Sequence, residues 1–197
     1  MLRQQISLLL ALALAFALSA CGGGQPSEGS EVSGWTRYAF QDATGAEVIL
    51  DKRPERVAVL FSSFADIWLT AGGRVDITVG ESVERGLVPD GTPLVDDGAG
   101  KTINSELLLS YAPDFVIGSA DLEGQIQTVE FLRRQGVPAA VFHVETFGDY
   151  LEMLKICTDI TGDADAYEVY GTQVQALLKK AGGIEIEMVC PLHGPIW

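Results

Sequence analysis

The sequence predicts an α/β fold in which a parallel sheet is flanked by helices and preceded by an N-terminal β-hairpin. Three observations predict it. From residue 57 onward, short apolar segments alternate with segments of helical spacing, which is the pattern of a parallel sheet with helical crossovers. The apolar segments contain few polar residues, as expected of strands buried on both faces. Residues 35–50 instead alternate apolar and polar side chains around a short turn containing Gly45, which indicates a hairpin.

The first elements are the hairpin over residues 35–50 and a buried strand over residues 57–61. A helix is expected over residues 64–71, with Ser62 or Ser63 as its N-cap, because hydroxyl oxygens accept hydrogen bonds from the free amides of a first helical turn. A second short strand is expected within residues 76–80, where the sequence reads DITVG.

The later elements continue the same alternation. Asn104 is expected to cap a short helix that ends before Pro113. The further strands are expected over residues 115–118 and 139–143, and the further helices over residues 122–135, 147–161 and 167–181. In such a sheet, ligands lie beyond the carboxyl ends of the strands, so the loops that follow the strands are the informative ones.

The N-terminus has the organisation of a signal peptide. Arg3 precedes an apolar run over residues 6–18 that is too short to span a bilayer, and the run ends in Leu-Ser-Ala before Cys21. This end resembles the lipobox of bacterial lipoproteins, in which the cysteine is exposed by cleavage and receives lipid. An ordinary signal peptide with a chance cysteine is the alternative. The lipobox implies a protein anchored to the cell membrane, on its extracytoplasmic face, through Cys21.

The overall charge excludes one class of partner. The net charge of the 197 residues is −14, and nucleic-acid binding requires a basic surface, so no nucleic-acid partner is expected. The three cysteines do not indicate a disulfide framework. Cys157 lies in an apolar helical phase and is expected to be a small buried side chain.

A glycine-lysine cluster imitates the second half of a nucleotide-binding loop. Gly98, Gly100 and Lys101 stand in the run GAGKT, but Val95 occupies the position where that loop requires glycine. Asp96 and Asp97 would repel a triphosphate, and the next helix starts too late to direct its amides at phosphates held by Lys101. Nucleotide hydrolysis is therefore not expected.

Three longer segments resemble a known family: RPERVAVLFSSFADIWLTAGG, INSELLLSYAPDFVIGSA and LRRQGVPAAVFHVETFGDYLEMLKICTDITG. Together with the lipobox, they resemble bacterial ABC-transporter solute-binding proteins of the iron-siderophore and cobalamin class, over roughly residues 35–180. The resemblance implies two α/β lobes bridged by a long helix, with the ligand in the cleft. It also implies a protein that is not an enzyme and has no cofactor, and that delivers a metal chelate to an ABC permease and its ATPase.

The resemblance implies a set of ligand-binding residues in the loops that follow the strands. Phe64 would offer a flat apolar face, serines and glycine amides would offer donors, and Lys101 would pair with an anionic chelate. Alternatively, Ser63 is only an N-cap and Lys101 only a solvated side chain. The implied residues are Ser62, Ser63, Phe64, Asp97, Gly98, Gly100, Lys101, Ser119, Ala120 and Asp121.

Glu106 has two interpretations that are compatible with each other. In the family that the sequence resembles, an acidic residue at this place in the helix docks onto arginines of the permease. An acid in a first helical turn also stabilises the helix dipole, by about 0.3–1 kcal/mol.

The C-terminal residues depart from the family. The run VCPLHGPIW resembles a segment of the metallo-β-lactamase-like domain of flavodiiron proteins, in which the histidine that matches His193 is an iron ligand. His143 is expected to be a lone residue in a strand, and no H-x-H-x-D cluster occurs in the chain, so no metal site is expected.

A metalloprotein or enzyme fragment is the alternative function, and a truncated or fused solute-binding protein is the preferred one. No residue distinguishes a siderophore from heme or cobalamin. The expected organisation is a lipoprotein signal peptide over residues 1–20, a flexible tether over 21–34, an N-terminal lobe over 35–163, the start of a bridging helix over 164–181 and an atypical tail over 182–197.

Overall fold

The computed structural model describes residues 35–97 and 102–181. The predictions for the signal peptide, Cys21, the tether, Gly98, Gly100, Lys101 and the tail lie outside the described residues. Among the described residues, no helix is both long and apolar enough to cross a membrane.

The predicted hairpin is confirmed. Strands β1 (Tyr38–Gln41) and β2 (Glu47–Leu50) pair antiparallel, with Tyr38 opposite Leu50. The turn is organised by Asp42, whose Oδ1 accepts hydrogen bonds from the backbone amides of Thr44, at 2.9 Å, and Ala46, at 3.1 Å. An aspartate that bonds to its own turn in this way favours chain reversal.

A parallel three-stranded sheet follows. Its strands are β3 (Val57–Val59), β4 (Phe115–Ser119) and β5 (Ala139–Phe142), in the order β3-β4-β5. The predicted strand over residues 76–80 forms only single bridges, with Ala58 opposite Ile77 and Thr78 opposite Leu94. This segment runs beside β3 but turns into a helix at Gly80, before further pairs can form.

In the part of the chain that the structure describes, five helices up to residue 161 pack around the sheet, and four of these five were predicted. Neither Ser62 nor Ser63 is the N-cap of the first, which is a correction: the helix begins at Ser62, and its N-cap, Phe61, makes no side-chain capping bond. Asn104 does cap the third helix, because its Oδ1 accepts from the Leu107 amide at 2.9 Å. The helices are α1 (Ser62–Thr70), α2 (Gly80–Glu84), α3 (Ser105–Ser110), α4 (Glu123–Arg134) and α5 (Phe147–Thr161).

The last helical segment differs from the single helix predicted over residues 167–181. It starts earlier, at α6 (Ala164–Tyr167), because Asp163 accepts from the Ala166 amide and caps it. A π-helical turn (Glu168–Thr172) then leads into α7 (Gln173–Lys180). Gly162, with φ of +78°, separates α5 from this segment, since glycine adopts the left-handed region at low cost.

The core lies on both faces of the sheet, because successive side chains of a strand point to opposite faces. Phe115 and Ile117 pack on one face with the hairpin, α1 and α5. Val116 packs on the other face with α3 and α4. Cys157 is completely buried in the first of these layers, as predicted, and burial raises the pKa of its thiol.

Candidate ligand-binding site

The loops that follow β3, β4 and β5 lie at one edge of the sheet. The three strands are parallel and adjacent, so their carboxyl ends point the same way. A buried amide joins two of these ends: Gln125 Oε1 accepts from the Ser119 amide at 2.7 Å, and Gln125 Nε2 donates to the Leu60 carbonyl at 2.8 Å. This carboxyl edge is the candidate ligand-binding site.

The loop after β3 presents two serines held by an arginine. Arg85, the residue after α2, donates from Nη1 to Ser62 Oγ at 2.8 Å and to Ser63 Oγ at 3.3 Å. Ser62 is buried and Ser63 half-buried, whereas Arg85 is exposed. Sequence reasoning missed Arg85, because a separation of 22 residues between Arg85 and Ser63 carries no local signal of contact.

Phe64 does not lie where the family resemblance implied. It is 2 % exposed and packs edge-on against Phe61 and Phe142, with ring centroids 4.9 and 6.4 Å away. Because α1 begins at Ser62, residue 64 lies on the same inward face as Ile67 and Trp68, at helical spacings of three and four. The face expected for ligand is therefore part of the core, and Phe61, half-buried, is the aromatic residue nearer the edge.

The loop after β4 is organised by its own polar side chains. Ser119 is buried, and its hydroxyl accepts from the Asp121 amide at 3.1 Å and contacts Asp121 Oδ2 at 3.2 Å. Ala120 is half-buried, and Asp121 is exposed. Asp121 is thus the member of this loop best placed to meet a ligand.

His143 is not the lone strand residue that was expected. The strand β5 ends at Phe142, and His143 Nδ1 lies 2.6 Å from Asp121 Oδ1, while Nε2 lies 3.4 Å from Glu145 Oε2. The hydrogen bond with Asp121 is the main cause that raises the pKa of His143, against a smaller opposing effect of burial. The imidazole therefore links the loops after β4 and β5 at the carboxyl edge.

The segment that imitates a nucleotide-binding loop is only partly described. Asp96 Oδ1 and Oδ2 accept from the Gly80 amide at 3.0 and 3.1 Å. This carboxylate therefore provides a hydrogen-bond acceptor for the first backbone amide of α2. Asp97 is exposed. The next helix begins at Ser105, as late as the sequence predicted.

Glu106 is exposed in the first turn of α3. This position suits both interpretations of the residue, and docking onto a permease stays a prediction. In residues 35–97 and 102–181, no three His, Cys, Asp or Glu side chains converge as a metal site would require.

Comparison with known proteins gives a match at the level of structure alone. No protein-family model matches the sequence, and no curated protein matches it either. Solved structures do match. The periplasmic catecholate-siderophore binding protein VctP from Vibrio cholerae has a TM-score of 0.61 and 17 % identity, covering 73 % of this chain and 52 % of that protein.

Two further solved structures match this chain to a similar extent. The siderophore binding protein BauB, bound to a complex of two acinetobactin molecules and ferric iron, has a TM-score of 0.59 and 15 % identity over 73 % of this chain and 52 % of its own. The heme binding protein HmuT has a TM-score of 0.58 and 18 % identity over 76 % of this chain and 48 % of its own. At sequence identities this low, the structural similarity establishes the fold of this chain. The chain spans about half the length of the proteins it matches, and its described part folds like a lobe of a solute-binding protein.

Proposed function

We propose that this protein is the substrate-binding component of an ABC importer for a metal chelate, held outside the cytoplasm by a lipid on Cys21. The solved structures with this fold are named as proteins that bind siderophores or heme, which supports binding rather than catalysis. The lipobox supports the lipid anchor and the extracytoplasmic location.

The observation that carries the proposal is the polar arrangement at the carboxyl edge. The exposed Arg85 guanidinium rests on Ser62 and Ser63, and the exposed Asp121 and His143 side chains pair beside the next two strands. A fold of this class binds its ligand at this edge. The Arg74–Asp76 ion pair lies at the opposite edge.

The partners follow from the same proposal. An ABC permease and its ATPase would receive the ligand, and Glu106, exposed on α3, would contact the permease. The ligand would be a siderophore, heme or cobalamin with its bound metal. One further loop at this edge would contribute ligand contacts from Asp97, Gly98, Gly100 and Lys101.

The experiment is a titration of the full chain, purified in mild detergent, with a ferric siderophore, heme and cobalamin in turn. The three tryptophans, Trp35, Trp68 and Trp197, supply the fluorescence signal, and calorimetry gives the stoichiometry. The described lobe offers one wall to a ligand, whereas an enclosed ligand has about 70–90 % of its surface buried. We therefore expect saturable binding of at least one chelate, in the high-micromolar range. The absence of saturable binding of all three at millimolar concentration would overturn the proposal.

A further inference from the structure

Three described arginines, Arg53, Arg56 and Arg85, have no described carboxylate within 4.0 Å, and of these Arg85 is the one that donates to two serine hydroxyls. Arg37, Arg74 and Arg133 each pair with a carboxylate, respectively Asp51, Asp76 and Asp42. Arg85 instead donates to two neutral hydroxyls, and no described carboxylate lies within 4.0 Å of its guanidinium. Its positive charge is therefore held in place without being neutralised.

Two acids at this edge have partners other than Arg85. Asp96 accepts from the Gly80 amide, and Asp121 pairs with His143. Glu81 and Glu84 lie in α2 just before Arg85, but neither forms an ion pair with it. The cation is thus available to a ligand at the edge of the sheet.

The geometry of the guanidinium indicates which groups it can bind. Both serine contacts use Nη1, and within residues 35–97 and 102–181 no hydrogen bond is made by Nε or Nη2. These two nitrogens carry parallel N–H donors, which match two adjacent anionic oxygens. Ser62 and Ser63 hold the side chain in one place, which lowers the entropy lost on binding.

We propose that Arg85 makes this site selective for anionic chelates, by binding two adjacent anionic oxygens of the ligand, as in a carboxylate or a catecholate. This inference rests on the proposed function and narrows its substrate class. Chelates without net charge, whose paired oxygens carry less negative charge, bind more weakly at this site. Arg85 is then a specificity-determining residue.

The test compares two iron complexes, an anionic ferric tris-catecholate and a neutral ferric trihydroxamate, on the full chain. Arg85→Gln removes the charge, and Arg85→Lys keeps the charge but loses the planar fork. Arg56→Gln is the matched control, because Arg56 is also exposed but precedes β3, at the opposite edge of the sheet. Thermal unfolding of each variant establishes that the lobe is folded.

We expect wild type to prefer the anionic complex, and Arg85→Gln to weaken its binding by about tenfold or more while changing the neutral complex less than about twofold. Arg85→Lys is expected to be intermediate, and Arg56→Gln to bind as wild type does. Equal binding of the anionic complex by wild type and Arg85→Gln would overturn this inference alone, as would equal weakening by Arg56→Gln. Binding of neither complex by wild type would overturn this inference, whereas the proposed function would be overturned only if heme and cobalamin also failed to bind.

Discussion

Arg133 in α4 donates a hydrogen bond to the carboxylate of Asp42 at 2.5 Å, and the Asp42 side chain is completely buried. The same carboxylate accepts from the backbone amides of Thr44 in the hairpin turn and Val141 in β5. Asp42 therefore joins three separate elements. A buried carboxylate with this many donors is strongly stabilised as the anion.

Replacing Asp42 with Asn should destabilise the fold by about 2–4 kcal/mol, because it leaves Arg133 without its counter-charge. Urea unfolding followed by circular dichroism measures this. Asp51→Asn is the control, since the Arg37–Asp51 pair is exposed and such pairs contribute about 0–1 kcal/mol. If both variants lost the same small free energy of unfolding, the conclusion that Asp42 joins these three elements would be wrong.

The same carboxyl should make the fold sensitive to acid. Burial acts to raise the pKa of Asp42, but the hydrogen bonds from Thr44, Val141 and Arg133 outweigh it and hold the pKa below its usual value. The stabilisation is present above the pKa of the unfolded chain, near 4, and is lost as the pH falls through the lower pKa of the folded state. Wild type should thus lose stability below about pH 4 more steeply than Asp42→Asn.

His143 should titrate above the ordinary histidine range, because Asp121 and Glu145 favour its charged form. Its contribution to stability is complete below the unfolded pKa, near 6.5, and is lost as the pH rises through the folded pKa. The chain has two histidines, so an NMR pH titration with a His193→Gln variant assigns the signal. Asp121→Asn should lower the pKa of His143 more than Glu145→Gln does, and an unchanged pKa in both would contradict the geometry.

Cys21→Ser should release the protein from the membrane fraction. The apolar run over residues 6–18 is too short to hold a mature protein in a bilayer, so anchoring depends on the lipid. Cell fractionation followed by immunoblotting measures this, with Cys157→Ser as the control because Cys157 is buried in the core. Retention of Cys21→Ser in membranes after a high-salt wash would contradict the anchor.

Glu106→Ala should weaken binding to the cognate permease without unfolding the lobe, most visibly at low salt. Glu123→Ala is the matched control, since Glu123 is likewise an exposed acid in the first turn of a helix. A pull-down at two ionic strengths measures the effect. Equal binding by wild type and Glu106→Ala would argue that Glu106 only stabilises its own helix.

Much of the fold was predictable because its signals are local. The Asp42 turn, the Asn104 cap and the run Phe147–Thr161 each depend on residues close in sequence. Phe64 was misassigned because α1 begins two residues earlier than predicted, which turns that side chain inward.

The pairs at the carboxyl edge could not be predicted from local patterns. Arg85 contacts Ser63 across 22 residues, and His143 contacts Asp121 across 22 residues as well. Such contacts depend on which loops the sheet brings together, and the order of its strands is not encoded in periodicity.

The Gln125 side chain has a mechanical consequence for the site. Its amide group is hydrogen-bonded at both ends, to the Ser119 amide and the Leu60 carbonyl, so it holds the ends of β3 and β4 at a fixed spacing. Under the proposed function, a ligand would meet a surface whose spacing is set when the chain folds. On the same proposal, the ends of β3 and β4 would keep this spacing when a ligand binds, and a Gln125→Leu change would loosen them by leaving two buried backbone groups without a hydrogen-bond partner.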